Sequence, residues 1–189
     1  MKVVVVPLFI GVFALAASAQ EGAPIFEFAG QYQMLRVNSS RDVPAFTVNG
    51  GTGSFQIDFF DQVAGVLEVG SGFNNNIGGF KLNNTWLTYL VGPRISLRNR
   101  SKRVIPALEF LAGGATLFAD TANPVTLANV SGNSTGFAMA TGGTLDIRLN
   151  HLIAIRPIQL DYLLTRVNNH YNQNNLRYGA GIVFTLGKQ

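Results

Sequence analysis

Residues 26–34 have the sequence FEFAGQYQM, in which apolar and polar side chains alternate along the chain. In an extended strand, successive side chains point to opposite faces, so this alternation sorts them into two rows. The apolar row holds Phe26, Phe28, Tyr32 and Met34, and the polar row holds Glu27, Gln31 and Gln33. A period of two predicts an amphipathic β-strand, because an amphipathic helix would repeat every 3.6 residues.

The same alternation occurs in seven further segments. They are residues 55–59, 67–73, 85–98, 104–117, 136–149, 153–167 and 176–184. Gly, Asn or a charged residue interrupts every apolar stretch here before it is long enough for a membrane-spanning helix. Eight consecutive amphipathic strands predict an all-β fold, an eight-stranded antiparallel up-and-down β-barrel that forms a single domain.

The connections between these segments alternate in length. The first, third, fifth and seventh are long and cover residues 38–51, 74–84, 118–135 and 168–175, whereas the others are short turns such as residues 99–102. Bacterial outer-membrane barrels have long outer loops and short periplasmic turns in this order. All Asn residues fall in the connections so drawn, and we therefore expect none inside a strand.

Residues 1–19 have the features of a cleaved secretory signal. Lys2 precedes the apolar run Val3–Ala17, and the small residues Ala17-Ser18-Ala19 follow it before Gln20. The run is shorter than the roughly 20 apolar residues that span a bilayer. We expect export, cleavage before Gln20 and a barrel domain over residues 20–189.

The composition excludes several classes of protein. Charged residues make up 13% of the chain, against roughly 25% in an average soluble domain. Cysteine is absent, which excludes disulfides and thiolate metal sites. The formal charge of +4 comes from scattered basic residues, with one short cluster at residues 98–103. Nucleic-acid binding needs a denser basic patch, so we expect no nucleic-acid partner.

Alternation alone fits either a soluble lipocalin-like barrel or a transmembrane barrel, because it does not show which row faces inward. The apolar row is rich in aromatic residues, and its charged residues, Arg36 and Arg166, lie near strand ends. A basic side chain at the bilayer midplane would cost about 2 to 4 kcal/mol. The pattern therefore favours a transmembrane barrel whose apolar row faces lipid and whose polar row fills the lumen.

The polar row carries charges of both signs, which could neutralise one another in a narrow lumen. The predicted lumen charge network contains Glu68, Arg94, Glu109, Asp146, Arg148, Asp161 and Arg177, with further charges at Glu27, Asp58 and Arg98. The small residues Gly113, Gly142, Gly179 and Gly181 fall mostly on the same row. Because eight strands leave only enough space for side chains, we expect a plugged lumen, although a gated polar path remains an alternative.

Three prolines, Pro93, Pro106 and Pro157, lie inside predicted strands. Proline removes a hydrogen-bond donor from the ladder and normally requires an edge or a bulge. Arg156 also breaks the alternation that places Asp161 on the polar row. The two observations together predict a β-bulge near Pro157.

Three segments carry a resemblance to a known family: NNLRYGAGIVFTLG (174–187), GGTLDIR (142–148) and QLDY (159–162). They resemble the OmpA-like eight-stranded outer-membrane β-barrels, the porin-like outer membrane protein β-barrel domain family. The resemblance implies a Gram-negative outer-membrane location, contact with outer-membrane lipid and lipopolysaccharide, and biogenesis by the barrel-assembly machinery. We also expect a monomer.

The chain offers few groups for catalysis. His151 and His170 have no acid and nucleophile at strand spacing that would predict a triad. Outer-membrane lipid A deacylases would require a Ser two residues after a lipid-facing His, but Tyr171 and Asn172 follow His170. The segment Asn49–Gly53 is not followed by a helix with a Lys, so it does not predict a phosphate-binding loop.

We therefore expect neither a catalytic site nor a bound cofactor or metal. The expected role is structural or the display of surface loops. A small passive pore for ions or solutes is the alternative, and a lipid-modifying barrel enzyme is a third possibility.

Overall fold

The computed structural model describes residues 25–38, 45–60, 62–74, 83–97, 103–122, 129–167 and 171–186. The predicted signal segment, the turn at residues 99–102 and His170 lie outside these ranges. Within them, no helix is long and apolar enough to cross a bilayer.

Eight strands follow one another along the chain. They are β1 (Phe26–Val37), β2 (Phe46–Asp58), β3 (Val63–Asn74), β4 (Asn83–Ser96), β5 (Val104–Ala122), β6 (Asn129–Arg148), β7 (Ile153–Val167) and β8 (Tyr171–Leu186). Each strand pairs antiparallel with the next, and β8 pairs with β1 to close the barrel. The predicted eight-stranded antiparallel up-and-down barrel is confirmed.

The two ends of the barrel differ, and we name them by their connections. The loop end carries the connections β1–β2, β3–β4, β5–β6 and β7–β8, and the turn end carries the other three. Backbone hydrogen bonds close two of the turns, from Phe59 N to Val63 O at 3.0 Å and from Leu149 N to Ile153 O at 3.0 Å. Asn150 Oδ1 also accepts a bond from Leu152 N at 2.8 Å, which tightens the β6–β7 turn.

The strands extend further toward the loop end than the sequence predicted. β2 begins at Phe46, β5 and β6 pair as far as Ala122 and Asn129, and β8 begins at Tyr171. The predicted long connections were therefore too long. The expectation that no Asn lies in a strand was also wrong: Asn49 lies in β2 and Asn175 in β8. A ladder of backbone hydrogen bonds can continue through polar residues beyond the segment that must be apolar.

The side-chain rows face the way that a transmembrane barrel requires. Phe28, Tyr89, Phe110 and Tyr162 point outward with 44 to 47% of their surface exposed, whereas Glu68 in the interior is 2% exposed. A soluble barrel would reverse this arrangement, because its core is apolar. The lipocalin-like alternative is therefore wrong.

The predicted bulge at Pro157 is confirmed. The pairing of β7 with β8 changes register between Arg156 and Gln159, and the pairing of β6 with β7 changes register between Leu145 and Ile147. Because of this bulge, Arg156 and Gln159 both point into the lumen, although residues three positions apart in a regular strand face opposite sides. Pro93 and Pro106 are exposed and sit in strands without a register change.

Several glycines of the lumen row lie where neighbouring strands approach closely. A Cβ atom at Gly113 would collide with the backbone carbonyl of Tyr89, and one at Gly181 would collide with the carbonyl of Gly30. Gly53 differs, because a Cβ there would have no atom within 4 Å. The tightly curved wall of the barrel therefore depends on the missing side chain at Gly113 and Gly181 but not at Gly53.

We predict that Gly113→Ala lowers the free energy of unfolding by about 1 to 3 kcal/mol, because the methyl group must push backbone apart. Gly53→Ala is the matched control and should change that free energy by less than about 0.5 kcal/mol or raise it slightly. Urea titration of the protein folded in lipid vesicles measures both. Equal unfolding midpoints for the two variants would contradict the packing argument.

Candidate functional site: the barrel lumen

Four of the predicted network residues lie on one row that crosses β4 to β8. In the strand registers, Arg94 pairs with Glu109, Glu109 with Gly142, Gly142 with Asp161, and Asp161 with Arg177. The residues of such a row are direct cross-strand neighbours whose side chains share one face. The barrel registers thus bring together charges that are far apart in the sequence.

The central charge cluster consists of Glu68, Glu109, Gln159, Asp161 and Arg177. The Arg177 guanidinium donates to Asp161 Oδ2 from Nε at 2.8 Å and from Nη2 at 2.6 Å, and it forms a second ion pair with Glu68. All of these side chains are buried. One cation is therefore shared by two carboxylates in the middle of the lumen.

Gln159 connects the three acids of this cluster. Its Nε2 lies 2.8 Å from Asp161 Oδ2, 2.9 Å from Glu109 Oε1 and 3.2 Å from Glu68 Oε2. An amide nitrogen has two hydrogens, so it can donate to two of the three carboxylates at a time. Gln159 thus supplies neutral donors to acids that outnumber the local cations.

The turn-end charge cluster is centred on Asp146. Arg94 Nη2 donates to Asp146 Oδ2 at 2.7 Å and lies at the same distance from Thr144 Oγ1. Arg156 approaches Asp146 from β7, with Nε 2.6 Å from Oδ1 and Nη2 3.0 Å from Oδ2. Two-point contact between a guanidinium and a carboxylate fixes the orientation of both groups.

The structure brings six of the seven predicted network residues together in two groups. Glu68, Glu109, Asp161 and Arg177 meet in the central cluster, and Arg94 and Asp146 meet nearer the turns. Arg148 lies on the lumen row close to the turn end and is half-buried. The sequence analysis placed Gln159 on the polar row with Asp161 but did not assign Arg156 to it, because the bulge between Arg156 and Gln159 changes the alternation. The break in parity beside Pro157 was the signal that could have placed Arg156.

The lumen charges are less balanced than the sequence suggested. Among the described residues, six carboxylates are buried against three guanidiniums. The acids are Glu27, Asp58, Glu68, Glu109, Asp146 and Asp161, and the bases are Arg94, Arg156 and Arg177. A buried charge without a partner is costly, so the polar amides and hydroxyls of the lumen are needed to complete the network.

An apolar plug, which the sequence analysis did not predict, fills much of the lumen. Its buried members are Leu35, Val37, Phe46, Val48, Val66, Trp86, Leu90, Leu111, Ala115, Ala138, Ala140 and Leu163. Strands β1 to β7 each contribute plug residues and buried charged residues. In all of them except β3, the plug residues lie nearer the loop end than the charged residues do. The expectation of a polar row along the whole lumen was therefore wrong. The buried charges lie toward the turns, and the plug lies toward the loops.

The described residues provide little for metal or acid–base chemistry. No group of three or more His, Cys, Asp or Glu side chains among them could hold a metal ion. His151 is exposed in the β6–β7 turn. The arrangement of the lumen thus serves charge neutralisation and packing.

No protein-family model and no curated protein matches this chain, but solved structures do. Ail, the attachment invasion locus protein of Yersinia pestis, aligns with a TM-score of 0.64 at 13% identity, covering 88% of this chain and 100% of Ail. Neisserial surface protein A aligns at 0.63 and 12% identity over 84% of this chain and 96% of its own.

The outer membrane protein OprG of Pseudomonas aeruginosa aligns at 0.53 and 11% identity over 88% of this chain and 98% of its own. This chain has the fold of the eight-stranded outer-membrane β-barrels. At such low identity the similarity concerns the fold.

We predict that Arg177→Met lowers the free energy of unfolding of the barrel by about 3 to 5 kcal/mol, because it leaves Glu68 and Asp161 buried without their cation. Arg103→Met is the matched control: Arg103 is exposed at the turn end, and its loss should change stability by less than about 0.5 kcal/mol. Urea unfolding from vesicles measures both variants. An unchanged midpoint for Arg177→Met would show that the central cluster does not stabilise the barrel.

Proposed function

We propose that this protein is an integral protein of the Gram-negative outer membrane, with a closed lumen, that stabilises the envelope or displays its loop end outside the cell without catalysis. The observation that carries the proposal is the combination of an exposed apolar outer wall with a lumen filled by charges and an apolar plug. The outer wall suits lipid, and the filled interior leaves the loop end as the surface for specific contacts.

The height of the apolar wall fits a bilayer. On β1, the outward row runs from Phe26 near the turn end to Arg36 near the loop end. Ten residues of strand cover about 33 Å, and a strand tilt of about 40° reduces this to roughly 25 Å along the membrane normal. An apolar band of this height is what outer-membrane barrels present to lipid.

A closed lumen favours a structural role over the alternative of a passive pore. An ion that crosses the barrel would have to lose its water among Trp86, Leu90, Leu111 and Leu163, all of which are buried. Apolar constrictions prevent conduction because they are not wetted. The central charge cluster also fills the lumen with paired side chains.

The exposed histidine gives little support to a lipid-modifying enzyme. His151 lies in a turn, next to Leu152 and Asn150, whose side-chain oxygen bonds the turn backbone. A catalytic base needs a nucleophile within hydrogen-bonding distance and a group that orients it. Nothing in the described part of the β6–β7 turn supplies that pair, and we propose that the protein is not an enzyme.

The loop end has a feature suited to display. β6 begins at Asn129, but its pairing with β7 begins only at Gly136 opposite Val167. The β5–β6 hairpin therefore projects past its neighbour and presents strand backbone beyond the barrel wall. Loops and hairpins held by a rigid scaffold commonly carry binding functions.

The proposed partners follow from the proposed location. They are outer-membrane lipid and lipopolysaccharide around the wall and the barrel-assembly machinery during biogenesis, with no nucleic acid. A continuous apolar wall can be covered by lipid alone, so we propose a monomer.

Cell fractionation with heat-dependent gel migration tests the location. We expect the protein in the outer-membrane fraction, migrating as a compact species in unheated samples and as an expanded chain after boiling. Recovery from the soluble periplasmic fraction, without the compact species, would overturn the proposal. Mature chain beginning at Gln20 is the expected product of export.

Planar-bilayer recording tests the closed lumen. Folded protein, verified by its compact gel migration, should produce no discrete conductance steps, and heat-unfolded protein is the matched control for non-specific leakage. Reproducible steps from the folded preparation alone would overturn the closed lumen and favour the pore.

A further inference from the structure

Charged side chains are scarce on the outward rows of the strands. Among the described side chains of these rows, the charged ones are Arg36 on β1 and Arg166 on β7, and both lie near the loop end and are exposed. A cation on a lipid-facing row is costly at the midplane of a bilayer but favourable at its rim. Their shared position therefore marks the rim of the apolar band on the loop side.

Arg36 belongs to a small polar group on the outer wall of β1 and β2. Its Nη1 donates to Thr47 Oγ1 at 3.1 Å, and Thr47 is the direct cross-strand partner of Arg36. Beside this pair, the Tyr32 hydroxyl donates to Asn49 Oδ1 at 2.9 Å. Two hydrogen bonds thus hold four outward side chains in place where the rest of the wall is mostly apolar.

The hydrogen-bond roles in this group leave donors available. Arg36 uses one of its guanidinium N–H groups on Thr47, and the Thr47 hydroxyl, which accepts that bond, keeps its own hydrogen to donate. Asn49 accepts through Oδ1 and keeps both hydrogens of Nδ2. Donors on neighbouring strands around a guanidinium make a site for an anion, and a phosphate suits the planar fork of Arg well.

The height of the group selects the source of the phosphate. Arg36 lies at the loop-side edge of a band about 25 Å high, which is where the headgroups of the outer leaflet begin. A free phosphate ion would bind Arg36 no better than another exposed arginine, because its affinity does not depend on the height of the side chain on the wall. A phosphate carried by a lipid is held at this height by its own acyl chains.

We propose that Arg36, Thr47 and Asn49 form a binding site for the phosphate group of an outer-leaflet lipid headgroup, with the acyl chains of that lipid lying along the apolar wall below it. We call this group the Arg36 site. The inference rests on the proposed outer-membrane location and adds a defined lipid contact to it.

Arg166 offers a second contact at a similar height. In the strand registers Arg36 pairs with Leu176 of β8, and Arg166 pairs with Asn172 of the same strand, four residues closer to the loop end. Two interstrand spacings and four residue rises separate the two arginines by roughly 16 Å. The Arg36 site does not depend on Arg166, but a lipid with two phosphates could approach both.

The test measures lipid binding by the full-length protein folded in phosphatidylcholine vesicles. Two probes are compared, lipid A carrying its phosphates and the same lipid A after enzymatic removal of the phosphates. Bound lipid is counted by native mass spectrometry after gentle extraction. We expect the phosphorylated probe to bind more tightly by about tenfold, because one charge-assisted hydrogen-bonded contact changes affinity by that order.

The variants separate the site from general attraction of a basic protein to an anionic lipid. Arg36→Gln should abolish the preference for the phosphorylated probe, and Arg36→Lys should keep part of it because the charge remains without the fork. Thr47→Val should weaken the preference to a smaller extent. Arg103→Gln, which removes an exposed arginine at the turn end, is the matched control and should leave the preference unchanged.

Several outcomes would overturn the inference. These are equal binding of the two probes, a preference that survives in Arg36→Gln, or a preference lost equally in Arg103→Gln. Competition by inorganic phosphate at concentrations equal to those of the lipid would overturn the lipid source and favour a free anion. Compact gel migration in the vesicles is measured first. Failure to insert counts against the outer-membrane location, whereas insertion without phosphate preference counts against the Arg36 site alone.

Discussion

The closure of the backbone hydrogen-bond ladder between β1 and β8 is the constraint on which the rest of this structure depends. That ladder runs from Phe26 opposite Leu186 to Val37 opposite Asn175 and removes the last free strand edge of the wall. In a hydrocarbon environment an unpaired backbone group would have no water to bond, so an open sheet could not persist there. Once the ring is closed, every residue of a strand faces either outward or into one shared lumen.

Because the lumen is narrow, each strand must pair with its neighbours in one register, the one that turns its buried row inward. A slip of one residue in any strand would exchange its two rows and turn its buried charges toward lipid. Buried ion pairs contribute little net stability, because desolvation offsets much of their attraction. Their larger effect here is selective: the row from Arg94 through Glu109 and Asp161 to Arg177 is complete only when all five strands are in the observed register. The apolar plug has no such selectivity, and its position nearer the loops separates packing from charge pairing along the barrel axis.

The sequence predicted the number of strands, the direction of their two rows and most of the buried charges, because all three depend on a local period of two. It did not predict where the strands end. Residues such as Asn49, Gly50 and Gly51 have low strand propensity, yet β1 on one side and β3 on the other provide partners for their backbone groups. It also missed the plug: Leu35, Leu90 and Leu163 share the parity of the polar row, on which only the polar side chains were considered. Arg156 was missed for a related reason, since the bulge that turns it inward is a property of three paired strands.

The side chains that fill the lumen limit where this protein can meet other molecules. The interior side chains are committed to one another, and the outer wall is uniform enough that acyl chains can cover it without specificity. Features that differ from the apolar wall are therefore the better candidates for specific contacts. The polar group of Arg36, Thr47 and Asn49 is such a feature, and the projecting β5–β6 hairpin is another, and both lie toward the loop end. The turn end offers mainly short connections, whose backbone groups bond within the turns. This asymmetry of the barrel supports the proposal that recognition is concentrated at the loop end, while the buried charges and the turns maintain the register that holds that end in place.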